Sequence, residues 1–139
     1  MEDETKGGEV ISYKSGYKFK LIGGTQAQTS LRPVKGLAVN NWVYLNEDGL
    51  VTINDGYAWD GASGAIDTKS IMRASLVHDA LYQMIREGLP IVRKEADKEL
   101  YRICRESGMW WIRAQYIYWA VRLFGKVALK HDTKVQTAP

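Results

Sequence analysis

The fold of this chain is decided by the stretch Gly56-Tyr57-Ala58-Trp59-Asp60-Gly61-Ala62-Ser63-Gly64, which leads on to Ala74-Ser75-Leu76-Val77-His78-Asp79-Ala80-Leu81-Tyr82. Here the β-prone runs of the first half of the chain give way to the helical periodicity of the second half. The stretch holds one of the two histidines of the chain and a glycine-spaced loop with its own acid. We therefore expect any chemistry of this protein at this point.

Length and composition indicate a single globular domain. The chain has 139 residues, of which 45% are hydrophobic and 25% charged, and these values do not suggest disorder. We expect one domain over residues 10–130, a disordered tail at 1–9 and a polar tail at 131–139. Residues 1–69 carry seven basic and nine acidic side chains, a net −2, and residues 70–139 carry twelve and seven, a net +5. This bias is too weak to predict nucleic-acid binding.

Cysteine usage and hydropathy limit the location of the protein. Cys104 is the only cysteine, which excludes an intramolecular disulfide and fits a reducing compartment. The acidic start at 1–8 does not have the pattern of a signal peptide. No transmembrane segment is expected, because polar and charged residues interrupt the most apolar run, 109–129.

Short β-prone runs separated by turn residues indicate antiparallel strands in the first half. The clearest hairpin joins Trp42–Leu45 to Leu50–Ile53 through the turn Asn46–Gly49, with glycine where a positive φ is needed. The turn Lys14–Gly16 predicts another hairpin, and residues 23–40 are interpreted as loop with short strands. Further strands are expected at Val10–Tyr13, at Tyr17–Leu21 and from Tyr57, the last becoming loop by Ser63.

Helical periodicity predicts three helices in the second half, at Ile71–Glu87, Arg93–Ser107 and Trp110–Leu129, and Gly88 and Gly108 end the first two. In the third helix one apolar stripe is expected along Trp110, Ala114, Ile117, Val121, Phe124 and Ala128. The opposite side is expected to carry Trp111, Gln115, Arg122 and Lys126. Strands followed by helices predict an α+β fold, with an N-terminal antiparallel β-sheet and then a three-helix unit containing an antiparallel helix pair.

The helix pair is expected to carry a His-Asp site. His78 lies about ten residues before the turn at Gly88–Pro90, and Asp97 lies about nine after it, so an antiparallel hairpin places them at one level. Asp97 would then orient the imidazole of His78 as a general base. Tyr82, one turn after His78, can also reach Asp97.

A hard cation is a further expectation for this site. Gly61 and Gly64 allow backbone carbonyls of the loop to converge, and Asp60 supplies charge; this is a calcium-type ligand set. Asp79 points about 100° away from His78 around the helix and can face the loop. A single histidine without cysteine makes a poor zinc site. We therefore take Asp79, Asp60, Trp59 and Gly61 as metal-ligand candidates, and calcium as the candidate ion.

Plainer interpretations stand beside these. His78 with Asp97 is equally well explained as a structural hydrogen-bond network, and Tyr82 as a packing residue. Asp60 can be a turn-forming carboxylate. Arg93 is either a charge at a helix start or the partner of an inward acid.

The same residues resemble a phage and prophage family known only as domain-of-unknown-function family 1353. The resemblance covers about residues 40–128 and includes Ala74 to Tyr82 with its His-Asp pair. Its other motifs are Gly56-Tyr57, Asp60-Gly61-Ala62-Ser63, Arg93-Lys94-Glu95-Ala96-Asp97 and Val121-Arg122-Leu123-Phe124-Gly125. The resemblance implies a viral origin, with the virion or the host cytoplasm as location, and implies no activity.

A more distant likeness is to phospholipase A₂. Those enzymes also have a glycine-spaced loop, a His-Asp-x-x-Tyr helix and an Ala-Asp pair on an antiparallel helix. The likeness implies His78 as base through water, Asp97 as its orienter, and Asp79 with loop carbonyls at 60–64 as Ca²⁺ ligands. This chain lacks the disulfides that tie the two helices in those enzymes.

Three functions follow as hypotheses. The first is a phage accessory protein with a phospholipase-like site, a Ca²⁺-dependent hydrolase of acyl esters in lipids. The second is a structural or tail-associated virion component in which the His-Asp network only holds the fold. The third is a host-directed binding protein, which predicts an exposed aromatic patch including Trp111 or Trp119. The expected partners are other phage structural proteins or host membrane lipid, and the oligomeric state is left open.

Overall fold

The computed structural model describes residues 11–14, 19–59 and 69–133. Within them, seven strands precede three helices, as the α+β prediction requires. The strands are β1 Ser12–Lys14, β2 Phe19–Ile22, β3 Thr25–Gln28, β4 Leu37–Val39, β5 Val43–Leu45, β6 Leu50–Ile53 and β7 Ala58–Trp59. The helices are α1 Lys69–Arg86, α2 Arg93–Glu106 and α3 Trp111–Thr133.

The strands form two antiparallel sheets where a single sheet was expected. The first has the order β1-β2-β7 and the second the order β3-β6-β5-β4. In the predicted hairpin, Val43 pairs with Ile53 and Leu45 with Val51, and all four side chains are buried. Because side chains alternate along a strand, this register turns the apolar face of the hairpin towards the core. Strands β3 and β4 lie in the segment interpreted mainly as loop.

The β5–β6 turn shows why Gly49 is required. Asn46 Oδ1 accepts hydrogen bonds from the backbone N–H groups of Asp48 and Leu50, both at 2.9 Å. Gly49 has φ +90°, and a Cβ there would overlap Leu31 O and lie 2.6 Å from Thr29 O. A side chain is therefore excluded both by the backbone conformation and by the close approach of the 29–31 segment.

Helix α1 is the centre of the molecule. Between residues 71 and 84 only Asp79 and Gln83 escape full burial, since α1 packs on α2, α3 and β4. A helix that is buried on almost all sides is a core helix. Its five fully buried larger apolar side chains each contribute about 1.5–3 kcal/mol; they are Ile71, Leu76, Val77, Leu81 and Met84.

Helices α1 and α2 form the predicted antiparallel pair. Gly88 ends α1 with φ +88°, and Leu89 N donates to Met84 O at 3.0 Å, a glycine-type helix end. On α2 a second buried carboxylate, Glu99, accepts hydrogen bonds from Ser30 N at 3.2 Å and Ser30 Oγ at 2.5 Å. Arg102 Nη2 donates to its other oxygen at 2.7 Å. Glu99 thus ties α2 to the segment that follows β3.

The stripe predicted for α3 is confirmed in its middle and wrong at Trp110 and Phe124, and the side chain of Ala128 lies outside the described residues. Ala114 and Ile117 are buried, but Trp110 and Phe124 are 65% and 67% exposed. The inward face continues instead through Arg122 and Gly125, so the prediction that placed Arg122 on the outer side is wrong. The physical reason is that the surface under this half of α3 contains a buried carboxylate rather than an apolar cleft.

The ends of the chain bear on two further predictions. Helix α3 continues to Thr133, four residues beyond its predicted end and into the segment interpreted as a polar tail. The tail predicted at 1–9 lies outside the described residues. Among the described helices, none combines the length and the hydropathy needed to cross a membrane.

Candidate functional site

His78 and Asp97 meet at the centre of the helix pair. His78 Nε2 lies 2.7 Å from Asp97 Oδ1, as the spacing of both residues from the turn predicted. His78 is 7% exposed and Asp97 is fully buried. The site therefore lies between α1 and α2 and not on a loop.

Tyr82 completes the first part of the cluster. It lies one turn after His78 on α1, and its hydroxyl donates to Asp97 Oδ1 at 2.6 Å. Its ring packs on the imidazole, with the centroids 4.1 Å apart. The hydroxyl is thus tied to the carboxylate while the ring fixes one side of the imidazole, so both interpretations of Tyr82 hold at once.

Two arginines hold the other carboxylate oxygen. Arg122 Nη1 lies 2.7 Å from Asp97 Oδ2, and Arg93 Nη1 lies 3.4 Å from it. Arg93 also donates to Val121 O on α3 at 3.2 Å. Arg93 is therefore the partner of an inward-facing acid, Asp97, which was one of its two interpretations from the sequence. Asp97 therefore binds donors from all three helices.

Gly125 makes this convergence possible. A Cβ at this position would overlap the Tyr82 hydroxyl and lie 3.0 Å from Arg93 Nη1. The absence of a side chain lets α3 approach the cluster closely enough for Arg122 to reach Asp97. Sequence reasoning placed neither Arg122 nor Gly125 at the site, although both stand in one motif, Val121 to Gly125.

The hydrogen bonds decide the charge of Asp97. Burial acts to raise the pKa of its carboxyl, but the hydrogen bonds from His78, Tyr82 and Arg122 outweigh burial and hold the pKa below its usual range. Burial and the hydrogen bond to Asp97 raise the pKa of Tyr82 well above that of a free phenol. At neutral pH the cluster therefore contains an ionised carboxylate and a neutral tyrosine.

An ionised Asp97 also sets the tautomer of His78. Because Nε2 faces a carboxylate, it carries the proton of the neutral ring and donates it to Asp97. The lone pair of the neutral imidazole is then on Nδ1. This arrangement of carboxylate, Nε2–H and basic Nδ1 can accept a proton from water.

The metal-ligand candidates do not come together within the described residues. Asp79 is half-buried on α1, whereas Asp60 and Gly61 lie outside the described ranges, as does Gly64. Trp59 is in β7, and its indole Nε1 donates to Ser75 Oγ at 3.0 Å inside the core. In the described part of the chain no group of three His, Cys, Asp or Glu residues is placed to hold a metal ion.

An open groove of about 620 Å³ lies between residues 23–26 and 52–55. Its lining includes the Gly23–Gly24 turn and Asp55, and Asp55 Oδ1 accepts a hydrogen bond from Gly23 N at 2.7 Å. None of the predicted site residues lines this groove. The candidate site and the groove are therefore separate features.

Comparisons with known proteins place the chain in a family. A search of curated proteins and a search of solved structures each gave no match. A family model described as "Protein of unknown function (DUF1353)" matches residues 38–121. The match includes His78, Tyr82 and Asp97 and ends immediately before Arg122. Because it covers more than half of the chain, the protein belongs to the DUF1353 family.

Proposed function

We propose that this chain is a phage-encoded accessory protein that hydrolyses acyl esters of lipids, with His78 as general base. The observation that carries the proposal is the 2.7 Å contact between His78 Nε2 and Asp97 Oδ1, at a carboxylate whose pKa is lowered. The phage origin is supported by the sequence resemblance, and the ester substrate by the likeness to phospholipase A₂.

The chemistry requires one proton to move twice. Nδ1 of His78 takes a proton from water while the water oxygen attacks the ester carbonyl. The tetrahedral intermediate collapses, the bond to the alkoxide breaks, and the imidazolium returns the proton to the alkoxide. The products are an alcohol and a carboxylic acid, and the acid then loses its proton to solvent. Asp97 stabilises the imidazolium electrostatically, and Tyr82 and Arg122 keep Asp97 ionised.

Calcium enters the proposal because the candidate ligands are oxygen donors. Among the described residues, Asp79 is the one ligand candidate with a carboxylate, and a carboxylate is a hard donor of the kind that Ca²⁺ binds. A Ca²⁺ ion held by Asp79 and the 60–64 loop would supply positive charge for the oxyanion. The described residues provide too few ligands to place the ion.

The test is fatty-acid release from phosphatidylglycerol vesicles with millimolar Ca²⁺ or with a chelator. We expect His78→Gln to lower kcat about 100-fold or more, because its amide can still donate to Asp97 but has no basic nitrogen. The matched control is His131→Gln, which removes the other histidine and should leave kcat unchanged. Asp79→Asn should remove the calcium dependence. Wild-type protein no faster than the vesicle blank would reject the proposal.

A structural role is the second candidate, and the burial of the cluster favours it. Asp97 is fully buried and binds four donors from three helices, as a network that only holds the fold would do. In that case the protein is a virion component, for example of the tail, and has no esterase activity. The two candidates differ for His78→Gln, which would then change only stability, by about 1 kcal/mol or less because the donor is kept.

A further inference from the structure

The outer side of α3 carries a large exposed apolar face. We define the α3 outer face as Ile112, Tyr116, Trp119 and Leu123, which are 46–69% exposed, and Trp111 and Phe124 are exposed on its two flanks. Residues 112, 116, 119 and 123 are spaced by four, three and four, so they form one stripe along the helix, opposite the buried Ala114 and Gly125. The aromatic patch that the binding hypothesis predicted, with Trp111 or Trp119, is therefore present.

We propose that this face binds the same face of a second copy of the chain, with the two α3 helices antiparallel. A two-fold interface must be self-complementary, because a contact between residue i of one copy and residue j of the other is repeated with the two copies exchanged. The stripe has this property in its spacing. Ile112 and Leu123 form one pair and Tyr116 and Trp119 a second, and both pairs are centred on the same point between residues 117 and 118.

A two-fold axis at that point would bring unlike apolar side chains together. Ile112 of one copy would lie opposite Leu123 of the other, and Tyr116 opposite Trp119. Aliphatic against aliphatic and aromatic against aromatic are favourable contacts at the 8–10 Å separation of packed helices. A parallel pair would instead place each residue opposite its own copy.

The exposed area fits a small dimer interface. Half-exposed large side chains each offer roughly 100 Å², so the four residues of the face and the two on its flanks offer roughly 600 Å² on each copy. Doubled over two copies, this reaches the lower end of the area that specific interfaces bury, about 1,200 Å² in total. Left uncovered, the patch is at the upper end of what monomers expose.

The charges also favour an antiparallel pair. Residues 107–130 include four basic residues and no acid. In a parallel pair each of these cations would lie beside the same cation of the other copy, and this segment has no carboxylate to neutralise the repulsion. In the antiparallel arrangement the two Lys126 residues are about 25 Å apart along the axis, well beyond the screening length in physiological salt. Arg122 is already paired with Asp97.

Sedimentation velocity on the full chain tests the dimer. We expect wild type to sediment as a dimer at tens of micromolar, and Tyr116→Glu to raise the dissociation constant about 30-fold or more. The matched control is Tyr44→Glu, the same change at a half-exposed tyrosine on β5, which should leave the dimer intact. A wild-type monomer at that concentration would overturn the proposal. If that monomer bound phosphatidylglycerol vesicles and Tyr116→Glu did not, the face would bind a membrane instead of a second copy.

Disulfide trapping tests the orientation. The double variant Ile112→Cys/Leu123→Cys should form a covalent dimer on oxidation. Within one helix these positions are about 16 Å apart, too far for an internal disulfide. Ile112→Cys alone should stay uncrosslinked, and a covalent dimer from it would indicate a parallel pair and reject the arrangement. Native Cys104 does not interfere, because it is fully buried.

Discussion

Replacing Asp97 by Asn should strongly destabilise the protein. The substitution keeps the size of the side chain, but it removes the negative charge to which four donors bind. It also replaces one acceptor oxygen by an NH₂ group, which then faces a donor from His78, Tyr82 or the arginines. Removing one member of a buried ion pair costs about 3–5 kcal/mol. The side chains of Arg93 and Arg122 are 21% and 22% exposed, so water recovers part of their hydration. We therefore expect a loss near the lower end, about 3 kcal/mol at pH 7.

Urea unfolding followed by tryptophan fluorescence measures this loss. For a chain of this size a destabilisation of about 3 kcal/mol corresponds to a Tm lower by about 10 °C. The matched control is Asp48→Asn in the exposed β5–β6 turn, which should change the free energy of unfolding by no more than about 0.5 kcal/mol. A loss below about 1 kcal/mol for Asp97→Asn would refute the argument that the network stabilises the helix unit.

The pH dependence gives an independent check of the same reasoning. The pKa of Asp97 is lower in the folded protein than in the unfolded chain, where it is about 3.9. Its contribution is therefore complete above the unfolded value and is lost as pH falls through the lower, folded value. The difference in stability between wild type and Asp97→Asn should shrink as pH falls below about 4. A difference that kept its full size, or grew, between pH 4 and pH 2 would contradict the assignment of an ionised Asp97.

Three further predictions concern residues around the site. Gly125→Ala should destabilise the protein by about 1–3 kcal/mol in urea unfolding, because a Cβ would overlap the Tyr82 hydroxyl; the usual gain of Ala over Gly in a helix would contradict this contact. Trp59→Ala should cost about 3–5 kcal/mol by the same measurement, since Trp59 is buried and bonded to Ser75; a cost under about 1 kcal/mol would exclude the packing. Burial raises the pKa of Cys104 to about 12, so mass spectrometry should find no alkylation by iodoacetamide at pH 8 in the folded protein, and rapid labelling would show that the thiol is accessible.

The sequence was sufficient for elements whose signals are local. The β5–β6 hairpin depends on Asn46 and Gly49, and the end of α1 on Gly88, residues that act on the backbone within a few positions. The His78–Asp97 contact was also predictable, because a short antiparallel connection places residues equidistant from the turn at one level. The division of the strands into two sheets was not predictable, since strand order depends on pairings between segments far apart in sequence.

The inward face of α3 shows the limit of hydrophobic periodicity. An apolar stripe predicts which side chains gain from burial, and Phe124 gains more than Arg122 on that basis. Only the tertiary structure puts the ionised Asp97 under this half of the helix, where an arginine is stabilised and a phenylalanine is not. The same crossing requires Gly125 against Tyr82, a steric demand that no periodicity contains.

The sequence by itself therefore determined the α+β order, the helix pair and the His78–Asp97–Tyr82 contact, because local propensity and short connections govern each of them. The tertiary structure alone decided the partners of Asp97 from α3, the burial of the imidazole and the exposure of the α3 outer face. Each of these depends on how helices from distant parts of the chain pack on one another, and packing is set by the shape and charge of both surfaces at once.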